Sequence, residues 1–181
     1  MIRYLVMIMK RKVIVVPYQQ EWPFLFQKEA QHLSNIFQPI LVDIHHIGST
    51  SVPNLASKPI IDILVVVKEI RKVDLFEDLM KHSGYIAKGE NGITGRRFFY
   101  KGERVRTHHV HVFEEGNSHI LRHLAFCEYL RTHREDRQRY EHLKKKLANQ
   151  FPEDIEGYMT GKAPLIKEIE QKAMKWYLNR I

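Results

Sequence analysis

A single cysteine, Cys127, stands among 181 residues, which excludes an internal disulfide and a cysteine-built zinc site. That scarcity suits a reducing compartment, so a cytoplasmic protein is expected. Long apolar runs are missing as well. The opening stretch from Met1 to Met9 is interrupted by Arg3 and falls far short of the roughly 20 apolar residues of a membrane span. It also lacks the small-residue cleavage site of a secretory signal. No Gly-Ser linker, internal repeat or low-complexity segment divides the chain. Negative charge is in deficit: 29 lysines and arginines against 21 aspartates and glutamates leave a formal charge of +8. That surplus favours an anionic ligand or partner, such as a nucleotide, an RNA or a coenzyme. With 44% hydrophobic residues the chain can bury a real core.

What is present gathers between Asp43 and Val67. A strand over 40–47 ends in His45-His46-Ile47, a turn of Gly48-Ser49-Thr50-Ser51 follows, and a second apolar strand over 60–67 carries Asp62. Small hydroxyl residues in such a turn can open a short helix whose free N–H groups face an anion. Asp62 lies inside an otherwise apolar strand, where a carboxylate is costly to bury without a partner. It therefore reads as functional.

Elsewhere the pattern is regular. Val13–Val16, stopped by Pro17, reads as an edge strand. Trp22, Leu25, Phe26, Leu33, Ile36 and Phe37 recur at helical spacing up to Pro39. A further helix is expected over 70–82, closed by Ser83-Gly84. Arg96 to Lys101 alternates weakly, and Gly102-Glu103 turns it into a strand over 105–113. In that strand Val110 and Val112 share one face, and His109 and His111 share the other. The composition turns helical from Ser118, with Pro164 suiting the first turn of the last helix. A sheet half (10–113) and a helical half (118–181) are expected in one body, with a cleft between them. Met9 precedes Lys10-Arg11-Lys12, where the recognisable pattern begins. Translation from Met9, with residues 1–9 outside the core, is the expectation.

Several of these segments together resemble the GrpB family. They are His46-Ile47-Gly48-Ser49-Thr50-Ser51-Val52-Pro53, Lys58-Pro59-Ile60-Ile61-Asp62-Ile63, Arg97-Phe98-Phe99 and His109-Val110-His111-Val112. Val15-Val16-Pro17-Tyr18 with Trp22-Pro23, Tyr140 with Lys144, and Tyr158 with Lys162 are similar as well. The resemblance covers nearly the whole chain from about Lys10. It implies a nucleotidyltransferase-like α/β fold, a mixed sheet with flanking helices and a C-terminal helical half. In that superfamily a Gly-Ser turn holds nucleotide phosphates, and strand carboxylates hold divalent cations for nucleotidyl or phosphoryl transfer. In some related chains such a domain is joined to a dephospho-coenzyme A kinase, which implies a link to coenzyme A metabolism. This chain has no P-loop, so it does not carry that kinase activity itself.

The chain departs from the polymerase-like pattern, because Ile60 and Leu64 stand two residues either side of Asp62. Only one carboxylate remains there, and His109 and His111 occupy the place of the third. A divalent metal is expected on Asp62, His46, His109 and His111. Its identity stays open among magnesium, manganese and zinc, since imidazole prefers the softer ions. Phosphates would meet Gly48, Ser49, Thr50, Ser51, Lys58 and Arg97, and Asp62, His109 and His111 would carry the chemistry. The expected function is metal-assisted nucleotidyl or phosphoryl transfer on a nucleotide or phosphorylated small molecule. The alternative is a degenerate nucleotide-binding protein with a His/Asp metal site. A nucleic-acid module using the basic run from Arg131 to Lys146 is the lesser reading, because such runs are mostly wet helix faces.

Overall fold

The computed structural model describes residues 12–102 and 105–180. The expectations for residues 1–9 and for Glu103 lie outside the described residues. Among the described residues five strands form one sheet: β1 (Leu41–Ile47), β2 (Ile61–Val67), β3 (Tyr85–Ala87), β4 (Arg96–Lys101) and β5 (His108–Glu114). Their spatial order is β1-β2-β5-β4-β3, parallel only between β2 and β5. This is the mixed α/β arrangement expected. β2 is an interior strand, between β1 and β5, and is covered on both faces, which is why it reads as a nearly continuous apolar run.

Helix α1 (Trp22–Phe37) covers one face. Its Trp22, Leu33 and Phe37 pack with Ile63, Val65, Val110 and Val112. Each such aliphatic side chain, fully buried, contributes roughly 1.5–3 kcal/mol. The other face carries Leu64, Val66 and Phe113. They pack against Leu130 of α3 (Ser118–Thr132), Tyr140 of α4 (Arg134–Gln150) and Ile169 and Ala173 of α5 (Ile155–Leu178). The alternation in β5 thus divides two cores: valines on the α1 side, histidines and Phe113 on the side of the helical half.

Several local expectations are corrected. The edge strand over Val13–Val16 reduces to one bridge, Val16 to Ser57, since Pro17 has no N–H with which to extend it. The helix over 70–82 is a 3₁₀ stretch, Ile70–Phe76, followed by the short α2 (Glu77–His82). The strand expected from Val105 starts at His108. The last helix begins at Ile155, capped by Asp154, whose carboxylate accepts from the Gly157 N–H at 2.9 Å. Pro164 therefore lies inside α5, not in its first turn. It sits on the exposed side, where water can satisfy the carbonyl that proline leaves without a partner.

Candidate anion-binding cleft

The parallel register sets Asp62 beside His109 and Leu64 beside His111, so all four side chains rise from one face. His109 Nδ1 donates to Asp62 Oδ1 at 2.9 Å, and His111 Nε2 lies 3.9 Å from the same oxygen. The far nitrogen of each ring faces a guanidinium: Arg106 Nη1 lies 3.5 Å from His109 Nε2, and Arg96 Nη1 3.4 Å from His111 Nδ1. Burial pushes the Asp62 carboxyl up, but hydrogen bonds and charge from His109 and His111 outweigh it and hold the group well below the usual carboxylate range. Burial pushes His111 down against the hydrogen bond and charge of Asp62, and the charges of Arg96 and His109 add to the depression. Asp62 is thus an ionised carboxylate steadied by two imidazoles.

Gly48 packs directly against Asp62. Its φ of +70° with ψ of −173° favours glycine, and a side chain there would run into the Asp62 carboxylate. Gly48, Ser49, Lys58, Asp62, His109 and His111 all line a cleft of about 630 Å³ between the sheet and the helical half.

Four of the expected site residues do not face it as required. His46 pairs with Ile63 across β1 and β2, which puts it on the α1 face, away from Asp62. There it stacks on Phe26, with ring centroids 4.7 Å apart, and its Nε2 lies 3.0 Å from Thr50 Oγ1. Burial pushes His46 down to about 4. Arg97 is also on the α1 face, opposite Val112, and forms a two-armed ion pair with Asp74. Thr50 and Ser51 are buried, and their hydroxyls donate to the carbonyls of Ile60 and Gly48 at 3.3 and 2.8 Å. Those two hydroxyls hold the turn together; they are not offered to a ligand.

The cleft also recruits residues that the site assignment missed. Arg96, not Arg97, shares the face of the histidines, because the register sets Arg96 opposite Phe113. From the roof come Arg122 and His123 of α3, Tyr140 and Lys144 of α4, and Tyr158 and Lys162 of α5. Lys144 belongs to the basic run expected to be a solvated face, yet it is only 2% exposed. Its Nζ donates to the carbonyl of Ala56 and lies 4.5 Å from the Tyr140 ring centre. Its spacing with Tyr140 and Leu147 (i, i+4, i+7) places it on the buried side of α4. Burial, then the charge of Lys162, lowers Lys144 to about 7. Burial also lowers Lys162, with the Asp62 charge opposing. Tyr158 is fully buried, with the ammonium groups of Lys58 and Lys162 5.5 and 5.2 Å from its ring centre. Among the described residues its hydroxyl is the buried side-chain polar atom with no hydrogen-bond partner.

Six cationic side chains (Lys58, Arg96, Arg106, Arg122, Lys144, Lys162) and two carboxylates (Asp62, Glu170) line this space. Cations thus outnumber carboxylates three to one in the lining. A resident divalent ion does not fit it. Among the described residues no three His, Cys, Asp or Glu side chains group as a metal ion requires. His46 is on the wrong face, and the rings beside Asp62 turn their other nitrogens to arginines.

Comparison with known proteins agrees with this architecture. The model of the GrpB protein family matches residues 12–172, and the chain belongs to that family. It is 49% identical over 171 residues to the UPF0157 protein YqkA of Bacillus subtilis, covering 94% of this chain and 50% of that protein. The chain thus spans about half the length of that relative. The crystal structure of the conserved protein GrpB from Enterococcus faecalis superposes with a TM-score of 0.89 at 49% identity, over 91% of this chain and 99% of the other. Cid1 in complex with the UTP analog UMPNPP matches with a TM-score of 0.45 at 11% identity, over 81% of this chain and 48% of Cid1. That likeness is too slight to carry a function.

Proposed function

We propose that the cleft binds a phosphate-bearing small molecule of nucleotide or coenzyme type. The phosphate lies against Lys144, Lys162 and the Tyr158 hydroxyl, with Lys58 and Ser49 at the rim. The observation that carries this reading is the Tyr158 hydroxyl, buried without a partner beside two lysines whose burial disfavours their charge. A buried donor left unmade costs about 1–3 kcal/mol, and an anion between these groups removes that cost together with the repulsion of the ammonium groups.

Turnover would be a second step. Ionised Asp62 accepts from His109 Nδ1 and orients that ring. In phosphoryl or nucleotidyl transfer His109 Nε2 then takes the proton of an attacking hydroxyl as the new O–P bond forms, and the leaving oxygen departs with the electron pair of the broken bond. The cations of the lining offset the charge that develops. A divalent ion takes part only if it arrives on the ligand's own phosphate oxygens.

The test is a thermal-shift screen of nucleotides and coenzymes, with and without magnesium, manganese or zinc, on wild type and on His109→Ala/His111→Ala. Stabilisation by phosphate-bearing ligands without added metal is the expected result. If no such ligand responds and zinc alone stabilises, with the response lost in the double variant, the cleft is a histidine metal site and this reading falls.

A further inference from the structure

The lysine end accounts for only part of the positive charge in the cleft. Arg96, on β4, is 5% exposed. Its Nε and Nη2 donate to the carbonyls of Glu90 and Asn91 at 3.1 and 2.6 Å, and its Nη1 faces His111. Among the described residues no carboxylate pairs with it. Across the wall, Arg122 pairs with Glu170 and turns its Nε to His119 Nδ1 and its Nη2 to His123 Nε2, each at 3.1 Å. His123 sits edge-on to His111, with ring centroids 5.2 Å apart. Burial first, and then the neighbouring charges of His111 and Arg122, push His123 down to about 2, so it supplies no competing charge. The wall thus holds two guanidinium groups and one carboxylate, Glu170, which pairs with Arg122 alone and leaves Arg96 to carbonyl and imidazole partners. A charge in that setting requires a partner.

The two ends are well separated. Lys162, Ile166 and Glu170 recur every four residues along α5 and all line the cleft. From Lys162 to Glu170 the helix rises about 12 Å at 1.5 Å per residue. On the floor, β4 with Arg96 lies two strands from β2 with Asp62, roughly 10 Å at the usual strand spacing. Asp62 and its histidines stand between.

We infer that the wall of Arg96, Arg122 and His123 is a second oxyanion subsite, so that the cleft is filled by anionic groups at both ends, one on either side of Asp62. This rests on the reading of the lysine end as the first phosphate site. Two sources share the chemistry. In the first, one molecule bears both anions, such as a nucleoside phosphorylated at two positions. Otherwise a nucleotide binds beside a separate phosphorylated acceptor.

The experiment is titration calorimetry of wild type, Arg122→Gln and Arg122→Lys. The ligands are adenosine 5′-monophosphate, adenosine 3′,5′-bisphosphate, and the monophosphate in the presence of inorganic phosphate. Wild type should bind the bisphosphate about tenfold or more tighter than the monophosphate, as one charge-assisted contact warrants. Arg122→Gln should erase that advantage, weakening the bisphosphate far more than the monophosphate. If added phosphate, and not the bisphosphate, tightens the monophosphate in an Arg122-dependent way, the second anion is a separate acceptor. Arg122→Lys keeps a cation for Glu170 and should reduce the advantage without abolishing it. It carries the test if the glutamine variant does not fold, and an undiminished advantage would then count against the subsite. An advantage that survives Arg122→Gln, equal weakening of both ligands, or neither advantage nor phosphate effect in wild type overturns the inference. If neither nucleotide binds wild type, the proposed function fails. Inorganic phosphate alone then decides: stabilisation of wild type that Arg122→Gln cancels keeps the subsite, and an equal or absent response removes it.

Discussion

Gly48 and Asp62 occupy each other's space: the carboxylate lies where a side chain on residue 48 would have to go. Gly48→Ala should therefore do two things. It should cost about 1–3 kcal/mol from backbone strain, read by denaturant unfolding. It should also push the carboxylate off His109 and abolish the ligand response. In an Asp62→Ala background the same substitution should cost less, because the collision is gone. Strictly additive costs in that double-mutant cycle would show that the two residues are not coupled.

Tyr158→Phe removes a buried hydroxyl that has no partner, so the free protein should not lose stability and should gain up to about 1 kcal/mol. The affinity for a phosphate-bearing ligand should fall by about tenfold, the worth of one hydrogen bond to a charged group. A variant that is less stable yet binds normally would place the hydroxyl in the fold instead of the site.

Lys144 gives the cleft a pH dependence. Its value in the folded protein is about 7, depressed by burial and then by Lys162, while Glu141 and Asp62 oppose and Lys145 adds to the depression. Because that value lies below the ordinary lysine range, its contribution to the stability of the free protein is complete at high pH. The contribution is lost as pH falls towards 7, since the unfolded chain takes up the proton first. An anion beside Lys144 reverses the depression. Ligand binding near pH 8.5 should take up protons, measurable by calorimetry in two buffers of different ionisation enthalpy. Affinity should weaken as pH rises above about 7. Lys144→Gln should abolish the uptake.

His46→Phe tests the division of the sheet into two faces. The ring keeps its stack on Phe26 and loses one hydrogen bond to Thr50, so stability should change by about 1 kcal/mol. Ligand affinity should be unchanged. A large loss of binding would return His46 to the site.

Much of this was legible in the chain. The lone carboxylate in an apolar strand and the alternation of His109 and His111 against Val110 and Val112 located the floor of the cleft. Faces within a strand follow from period 2, but faces between strands follow from register, which no local pattern carries. His46 was therefore grouped with Asp62 when its neighbour Ile47 is the residue paired with Asp62. The same gap let Arg97 stand in for Arg96. The roof was harder to read, because Pro164 suggested a helix start nine residues after the actual one at Ile155 and Lys144 was hidden in a basic run. The hydroxyls of Thr50 and Ser51 look like phosphate donors until their partners, the carbonyls of Ile60 and Gly48, are known. β3, at three residues, is too short to leave a periodic signature.

The single parallel pairing in the sheet bears on how the molecule folds. Asp62 and His109 are neighbours only because β2 and β5, from distant parts of the chain, meet in one register. A slip of one residue in β5 would drive both histidines into the valine layer and turn Val110 and Val112 towards the cleft. Such long-range parallel pairing is slow to form, since the intervening loop must close before any contact rewards it. The pocket and the correct register therefore arrive in the same event, and ligand binding can serve during refolding as a direct report that the central strands have paired correctly.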